Sequence, residues 1–397
     1  MMFVAQPFTA ARASPVAQPF RAARAASVAQ PFRAAAASGR PKGLRYNAPG
    51  RPKGLRYKCL FGLAMVGLAS SAPANDTLTA IRGIRVGHYT LVERPTGCTV
   101  ILVDRGAVAG IAQRGAAPGT RETDRLHPTN AADRVDAIVL SGGSAFGLDA
   151  ANGAARWLDE RRAGVATNGA RVPIVPAAVL IDLWVGGKPL VRPAADCGYR
   201  AAANATVRPV AEGSVGAGAG ATVGKLLGRD RAMKGGIGSA SVTLANGLQV
   251  AAIVAVNALG DIVDPHSGAV VAGARGDDGS FADARRLLRS GATTVLSSLP
   301  AENTTIAVVA TNARLTQAQA TGLAQMADAG YARAIVPVHT IADGDTVFAL
   351  ATGSWRGTAD VTTIGALAAD AVAAAIVRAV RQATTAGGVL AVRDLPQ

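Results

Sequence analysis

Two residues whose types suit covalent chemistry, Asn303 and Thr304, stand at the start of the apolar run 304–311. A hydroxyl beside a rigidly held backbone carbonyl can attack that carbonyl, and hydrolysis of the resulting ester leaves the hydroxyl residue as a new N-terminus. The new α-amine, with an ordinary pKa of about 8, can then act as the base for its own hydroxyl. The pair therefore predicts autocleavage, although Asn-Thr before a strand is also typical of a simple turn.

Two carboxylates, Asp343 and Asp345, precede the strand-like run 346–352. Residues at positions i and i+2 of an extended segment project to the same face. We expect both acids to face one target, the amine of Thr304. The alternative is a glycine-containing turn with two solvated acids.

A side-chain amide follows the apolar run 250–256 at Asn257. An amide at a strand end can donate to a developing oxyanion, an interaction of roughly 3–4 kcal/mol in a comparable hydrolase. Asparagine in this position is also a common turn former. Asn257 is therefore a candidate oxyanion donor.

Several glycine-rich stretches resemble known sites and fail on inspection. The stretch 216–226 lacks a phosphate-binding loop's first glycine at Ala219 and its Ser or Thr at Leu226, and no strand leads into it as a dinucleotide fingerprint requires. The stretch 142–146 misses the nucleophile elbow because Phe146 replaces the last glycine. Ser144 is instead predicted to cap the following helix.

The histidines and cysteines give little evidence for a metal site or for redox chemistry. The four histidines are far apart in the sequence and predict no metal site. Cys98 and Cys197 can pair only if the fold brings them together, and we favour two buried thiols. No cofactor is predicted.

The net charge of +15 is concentrated at the N-terminus. Residues 1–58 contain eleven Lys or Arg and no acid, whereas the remaining chain, with 30 basic and 26 acidic residues, carries only +4. A nucleic-acid-binding surface needs a basic patch on the folded body. Nucleic-acid binding is therefore disfavoured.

The sequence divides into three parts. Residues 1–57 repeat VAQPF and RPKGLRY, follow no helix or strand period, and are predicted to be a disordered basic tail. Residues 58–76 contain a lysine, an eleven-residue apolar run and small residues, as in a signal peptide. This run is too short for a stable membrane anchor, which needs ~20 apolar residues. We expect a periplasmic or secreted protein, with a cytoplasmic one as the alternative.

From residue 77 to 397 the pattern is that of one α/β (α+β) domain. Strands are predicted at 99–103, 137–140, 239–244, 249–256, 304–311 and 346–352, and helices at 145–162, 282–290, 316–329 and 361–382. Asp360 is the predicted N-cap of the last helix. Because strands and helices come partly in blocks, we expect stacked sheets with helices outside them.

The chain from about residue 78 to 383 resembles the DmpA-type peptidase family, which includes L-aminopeptidase/D-esterases, β-aminopeptidases and nylon-oligomer hydrolases. The resemblance rests on four motifs: Gly83-Ile-Arg-Val-Gly-His88, Leu140-Ser-Gly-Gly-Ser-Ala-Phe-Gly147, Asn303-Thr-Thr-Ile306, and His339 through Asp343-Gly-Asp-Thr-Val-Phe348. It implies an αββα sandwich of the N-terminal-nucleophile type. It also implies autocleavage into an α-chain, 77–303, and a β-chain, 304–397, which assemble as homo-oligomers of cleaved αβ units.

The resemblance also implies roles for particular residues. Thr304 corresponds to the nucleophile, and the paired acids fall on Asp343 and Asp345. A functional Asn falls on Asn257 and a Lys on Lys225, which stabilise the oxyanion or fix the peptide for autocleavage. One position departs, because Ile181 stands where nylon-oligomer hydrolases carry a functional Tyr.

We therefore expect an amidohydrolase that acts as an aminopeptidase on short peptides or amino-acid amides, with water as the acyl acceptor. The alternatives are an acyltransferase of the ornithine acetyltransferase type, an endo-acting amide-oligomer hydrolase, and an uncleaved binding protein on the same scaffold.

Overall fold

A computed structural model describes residues 75–130, 133–291, 302–358 and 360–395. The strands are β1 (Ile84–Thr90), β2 (Gly97–Gln113), β3 (Gly119–Arg121), β4 (Arg134–Ser141), β5 (Val165–Ala166), β6 (Arg171–Val172), β7 (Ala177–Val179), β8 (Thr222–Val223), β9 (Met233–Lys234), β10 (Gly236–Thr243), β11 (Gln249–Asn257), β12 (Asp261–Val263), β13 (Val270–Ala272), β14 (Thr304–Thr311), β15 (Ile335–Val336) and β16 (Thr346–Ala351). The α-helices are α1 (Ala150–Asp159), α2 (Ala195–Ala203), α3 (Ala284–Arg289), α4 (Gln317–Ala334) and α5 (Val361–Gln382).

The longest strand, β2, connects the two halves of one nine-stranded sheet. Its first half, 97–103, pairs with β1 and β4, whereas residues 108–113 pair with β16. A register shift between Leu102 and Ala107 separates the halves, as expected where a strand bends. The strand order is β10-β11-β14-β16-β2-β4-β7-β3.

Alternate residues of β2 face different hydrophobic cores. Val100 and Leu102 belong to the core with Trp157 of α1 and with α2, whereas Ile101 belongs with Ile253 of β11 to the core between the two halves of the sheet. A third core lies between the far face of β10, β11, β14 and β16 and the helices α4 and α5. The order of layers is helix, sheet, sheet, helix, which confirms the predicted αββα sandwich.

The six predicted strands and four predicted helices all coincide with observed elements. The prediction for Ser144 is wrong. Ser144 has a positive φ of 58° after Gly143 and begins a short 3-10 helix, so α1 starts only at Ala150. A capping hydroxyl reaches only the second or third amide of its helix, so Ser144 is too far from α1 to cap it.

The two long helices on one outer face are well capped. The Asp360 carboxylate accepts hydrogen bonds from Thr362 N and Thr363 N, which confirms the predicted cap of α5. Thr316 and Gln319 form a capping box at the start of α4. Within the described part of the chain, α5 alone is long and apolar enough to cross a membrane, but 67 % of its apolar 18-residue window is buried, as in a core helix.

Cys98 in β2 and Cys197 in α2 form a disulfide bond. The expectation of two free thiols was therefore wrong, because α2 packs directly on the start of β2. The predictions for residues 1–57 and for 58–74 of the candidate signal peptide lie outside the described residues. Asp76 already belongs to the folded body, since its carboxylate pairs with Arg378 of α5.

Candidate active site

The predicted site residues meet at one end of the central strands. Thr304 begins β14 and lies opposite Asn257, the last residue of the antiparallel neighbour β11. On the other side, Asn303 forms a bridge with Asp343, just before the parallel neighbour β16. Asn303 and Thr304 are each only 2 % exposed. The fold thus explains how residues far apart in sequence come together.

The carbonyl group between Asn303 and Thr304 is held by two donors in the intact chain. Gly344 N donates to the Asn303 oxygen at 3.0 Å, and the Thr304 hydroxyl donates to the same oxygen. A backbone N–H aimed at such an oxygen also stabilises the negative charge that forms there when the carbonyl is attacked. Gly344 was not predicted as a site residue because a backbone amide has no signature in the sequence.

Lys225 links the two asparagines. Its Nζ donates to Asn303 Oδ1 at 2.9 Å, to Asn257 O at 3.0 Å and to Asn257 Oδ1 at 3.1 Å. Burial lowers the pKa of Lys225 to about 7, although the charges of Asp343 and Glu302 oppose this effect. Lys225 therefore holds the Asn303 side chain in place, and its own pKa lies near neutral pH.

The Asn257 amide bridges the site to a neighbouring loop. Its Nδ2 donates to Glu302 O and to Ile181 O, each at 3.1 Å. The position where the resemblance places a Tyr thus supplies a backbone carbonyl here, and Ile181 contributes no side-chain donor. With both amide protons engaged, Asn257 is rigidly oriented in the intact chain.

The two acids have different partners. Asp345 Oδ1 accepts from Thr305 N at 2.7 Å, and its Oδ2 lies 2.9 Å from His339 Nδ1. Asp343 Oδ2 accepts from Thr340 N at 2.9 Å and from the Thr340 hydroxyl at 2.5 Å. Burial raises the pKa of Asp345, and the nearby charge of Asp343 adds to the rise. The amine that these acids are predicted to orient forms only on cleavage, so that role stays a prediction.

A buried ion pair that the sequence did not reveal supports the Ile181 loop. Asp182 Oδ1 accepts from Arg94 Nη2 at 3.0 Å and from Gly143 N at 2.9 Å. A Cβ added at Gly142 or at Gly220 would come within 2.3 Å of Asp182 Oδ2. The glycines at positions 142 and 220 therefore let the backbone approach this carboxylate closely.

The fold is that of an N-terminal-nucleophile hydrolase. The structure superimposes on the L-aminopeptidase D-Ala-esterase/amidase of Ochrobactrum anthropi, a variant of that fold, with a TM-score of 0.58 at 22% identity, covering 78% of this chain and 86% of that one. A β-aminopeptidase of a Burkholderia species gives the same TM-score at 25% identity, covering 80% and 90% of the two chains.

The sequence profile of Peptidase family S58 matches residues 76–392, and the chain belongs to this family. This confirms the resemblance to DmpA-type peptidases. An uncharacterized aminopeptidase of Mycobacterium leprae is 43% identical over 80% of this chain and 93% of its own length. A 6-aminohexanoate-oligomer endohydrolase of Paenarthrobacter ureafaciens is 32% identical over 75% of this chain and 84% of its own length.

Proposed function

We propose that this S58 hydrolase cleaves itself between Asn303 and Thr304 and then acts as an aminopeptidase with Thr304 as its nucleophile. The observation that carries the proposal is the Asn303 carbonyl, which contacts both the Thr304 hydroxyl and Gly344 N. The aminopeptidase names of relatives from Mycobacterium leprae and Burkholderia support the reaction type. Short peptides and amino-acid amides are the proposed substrates.

The cleavage step begins when Thr304 Oγ1 attacks the Asn303 carbonyl carbon. Negative charge develops on the carbonyl oxygen, where the Gly344 N–H stabilises it. The C–N bond then breaks, the hydroxyl proton ends on the departing amine, and an ester joins Asn303 to Oγ1. Water hydrolyses the ester and leaves a carboxylate on Asn303 and a free α-amine on Thr304.

In turnover, the α-amine of Thr304 takes the hydroxyl proton while Oγ1 attacks the substrate carbonyl. The amine of the product leaves with that proton, and water then releases the acyl group. Asn257 Nδ2 stabilises the oxyanion, since departure of the residues before Thr304 frees the proton now donated to Glu302 O. Asp343 and Asp345 orient the amine.

The proposal is tested on a denaturing gel. Wild-type protein should give two bands, the smaller one beginning at Thr304 by N-terminal sequencing. Thr304→Ala should give one inactive chain, and Thr304→Ser, which keeps the hydroxyl, should still be cut. A wild-type preparation that is fully active and uncut would overturn the proposal.

The same preparation separates hydrolysis from its alternatives. Hydrolysis requires no amine acceptor, whereas an acyltransferase depends on one. An aminopeptidase requires a free amino end on its substrate, whereas an endo-acting hydrolase also cuts oligomers with blocked ends. Activity on amino-acid amides without an acceptor, and none on blocked oligomers, is the expected result.

We also propose that the protein is exported. The signal-like run in residues 58–76 motivates this, and the Cys98–Cys197 disulfide supports it because such bonds persist in oxidising compartments. Mature protein from the native host should lack residues 1–74. Mature protein with residues 40–70 still attached would contradict a cleaved signal.

A further inference from the structure

His339 lies between two carboxylates. Its Nδ1 is 2.9 Å from Asp345 Oδ2, and its Nε2 is 3.2 Å from Asp328 Oδ2 on α4. A neutral imidazole has one donor and one acceptor nitrogen, whereas an ionised carboxylate only accepts. Both contacts are hydrogen bonds at once only when the ring is protonated. With both carboxylates ionised, the geometry fits an imidazolium at His339.

The charged and titratable groups around the ring favour this state. Asp328 and Tyr331 face it from α4 and Asp345 faces it from the start of β16, while Arg114 Nε lies 3.9 Å from Asp328. Burial on its own would lower the pKa of His339, but hydrogen bonds to Asp328 and Asp345 outweigh it and raise the pKa to about 9.

The backbone of His339 is held as tightly as its ring. Its φ of 54° is in the left-handed region, which few residues other than glycine adopt unless the surroundings enforce it. In this conformation His339 N also points at Asp345 Oδ2, at 3.3 Å. Ring and backbone thus fix the same carboxylate oxygen, and the other oxygen of Asp345 is left to bind Thr305 N at 2.7 Å.

We propose that His339 is a positioning residue, whose charged ring, anchored by Asp328, keeps Asp345 ionised and aimed at the first residues of β14. This inference rests on the proposed function, because Thr304 and its amine adjoin the Thr305 amide that Asp345 binds. Without the imidazolium, the buried Asp345 would take up a proton at a higher pH and lose the charge that orients the amine.

Removal of the ring charge should change the pH profile of activity. In His339→Gln, burial of Asp345 is no longer opposed by a positive charge, so the acidic limb of kcat/KM should move to higher pH. Turnover at pH 7 should fall at least about tenfold, with KM changed much less, because the loss acts on the transition state.

Two further variants make the test specific. Asp328→Asn can still accept a hydrogen bond from Nε2 but loses its charge, so it should shift the acidic limb in the same direction by a smaller amount. The double variant Asp328→Asn/His339→Gln should have the same turnover as His339→Gln alone, because Asp328 acts on Asp345 only through His339. Asp370→Asn on α5, which removes the exposed partner of Arg333 on α4, should behave as wild type.

All variants are assayed per mole of cleaved chain. If His339→Gln keeps the wild-type pH profile, the inference fails. This holds even if the variant has a lower yield or stability. If His339→Gln does not fold, Asp328→Asn decides by the same profile. The proposed function fails separately, if Thr304→Ala is active, so the two failures are distinguishable.

Discussion

Asp343 and Asp345 are both buried beside the start of β14 and are both hydrogen-bonded before any cleavage takes place. Asp345 binds the backbone of the candidate nucleophile's own strand, whereas Asp343 closes the turn that begins at Thr340. The proposed cleavage would create an amine next to this pair. Their negative charge is therefore expected to matter more in turnover than in substrate binding.

Asp343→Asn and Asp345→Asn preserve shape and remove charge, so both should lower turnover while KM changes much less. A positioned proton-transfer group is typically worth ~10²–10⁴-fold in rate. The measurement is steady-state kinetics on fully cleaved protein, with exposed Asp370→Asn as the control. If both site variants turn over at nearly the wild-type rate, the acids form only a turn.

Lys234 is a second fully buried lysine, and it lies outside the proposed chemistry. Its Nζ donates to Ala219 O at 2.9 Å and Ala221 O at 2.7 Å, and burial lowers its pKa to about 7. An unfolded lysine has a pKa of about 10.4. Between these two values the unfolded chain binds more protons than the folded one, so stability rises with pH in that window.

The predicted consequence is a pH-dependent difference between wild type and Lys234→Met. In the uncleaved Thr304→Ala background, the free energy of unfolding should rise with pH from 7.5 to 9.5 relative to that of the Lys234→Met variant. The contribution is up to about 1.4 kcal/mol per pH unit. Urea unfolding at both pH values measures it, and a difference that is constant with pH would show that the lysine is charged in the folded state.

At the scale of elements, the apolar patterns located the strands well because their residues are buried on both faces. The ends of β14 and α5 were predicted correctly. The full length of β2 was not, since the sequence Asp104-Arg105-Gly106 is typical of a turn and here lies inside a bent strand. Helix α2 was missed because it is short and its partner surface on β2 is not evident from the sequence.

The sequence predicted the parts of the candidate site that consist of side chains, but not the parts that consist of backbone groups. Thr304, Asn257 and Lys225 do lie together, but three of their partners are backbone groups: Gly344 N, Glu302 O and Ile181 O. Backbone groups are present in every residue and give no pattern. The contacts of His339 with Asp328 and Asp345 were also missed, because they are evident only when α4 is placed beside β16.

The cap of α5 offers a test of one element without disturbance of the site. Asp360→Ala removes the acceptor for Thr362 N and Thr363 N, and loss of such a cap typically costs about 1 kcal/mol. Urea unfolding in the Thr304→Ala background should show this loss, while the activity of the cleaved single variant stays unchanged. Asp360→Asn, which can still cap, should recover most of the stability.

For the whole molecule, the disulfide between Cys98 and Cys197 closes a loop with a sequence separation of 99. Replacement of both cysteines by serine should lower the free energy of unfolding by about 2–4 kcal/mol. Reductant should destabilise the Thr304→Ala protein but leave the same protein without cysteines unaffected. Equal stability of the cysteine-containing protein with and without reductant would contradict the prediction.

The position of β14 determines how the protein can refold before and after cleavage. Cleavage at its first residue would leave this strand between β11 and β16, with α5 of the same fragment packed over β10 and β11. The two fragments then share one interior and no covalent bond, since both cysteines precede residue 304. Folding would be a first-order event before the cut and a second-order encounter after it. After denaturation, the refolding rate of the cleaved protein should rise with protein concentration. The refolding rate of uncleaved Thr304→Ala should not depend on concentration.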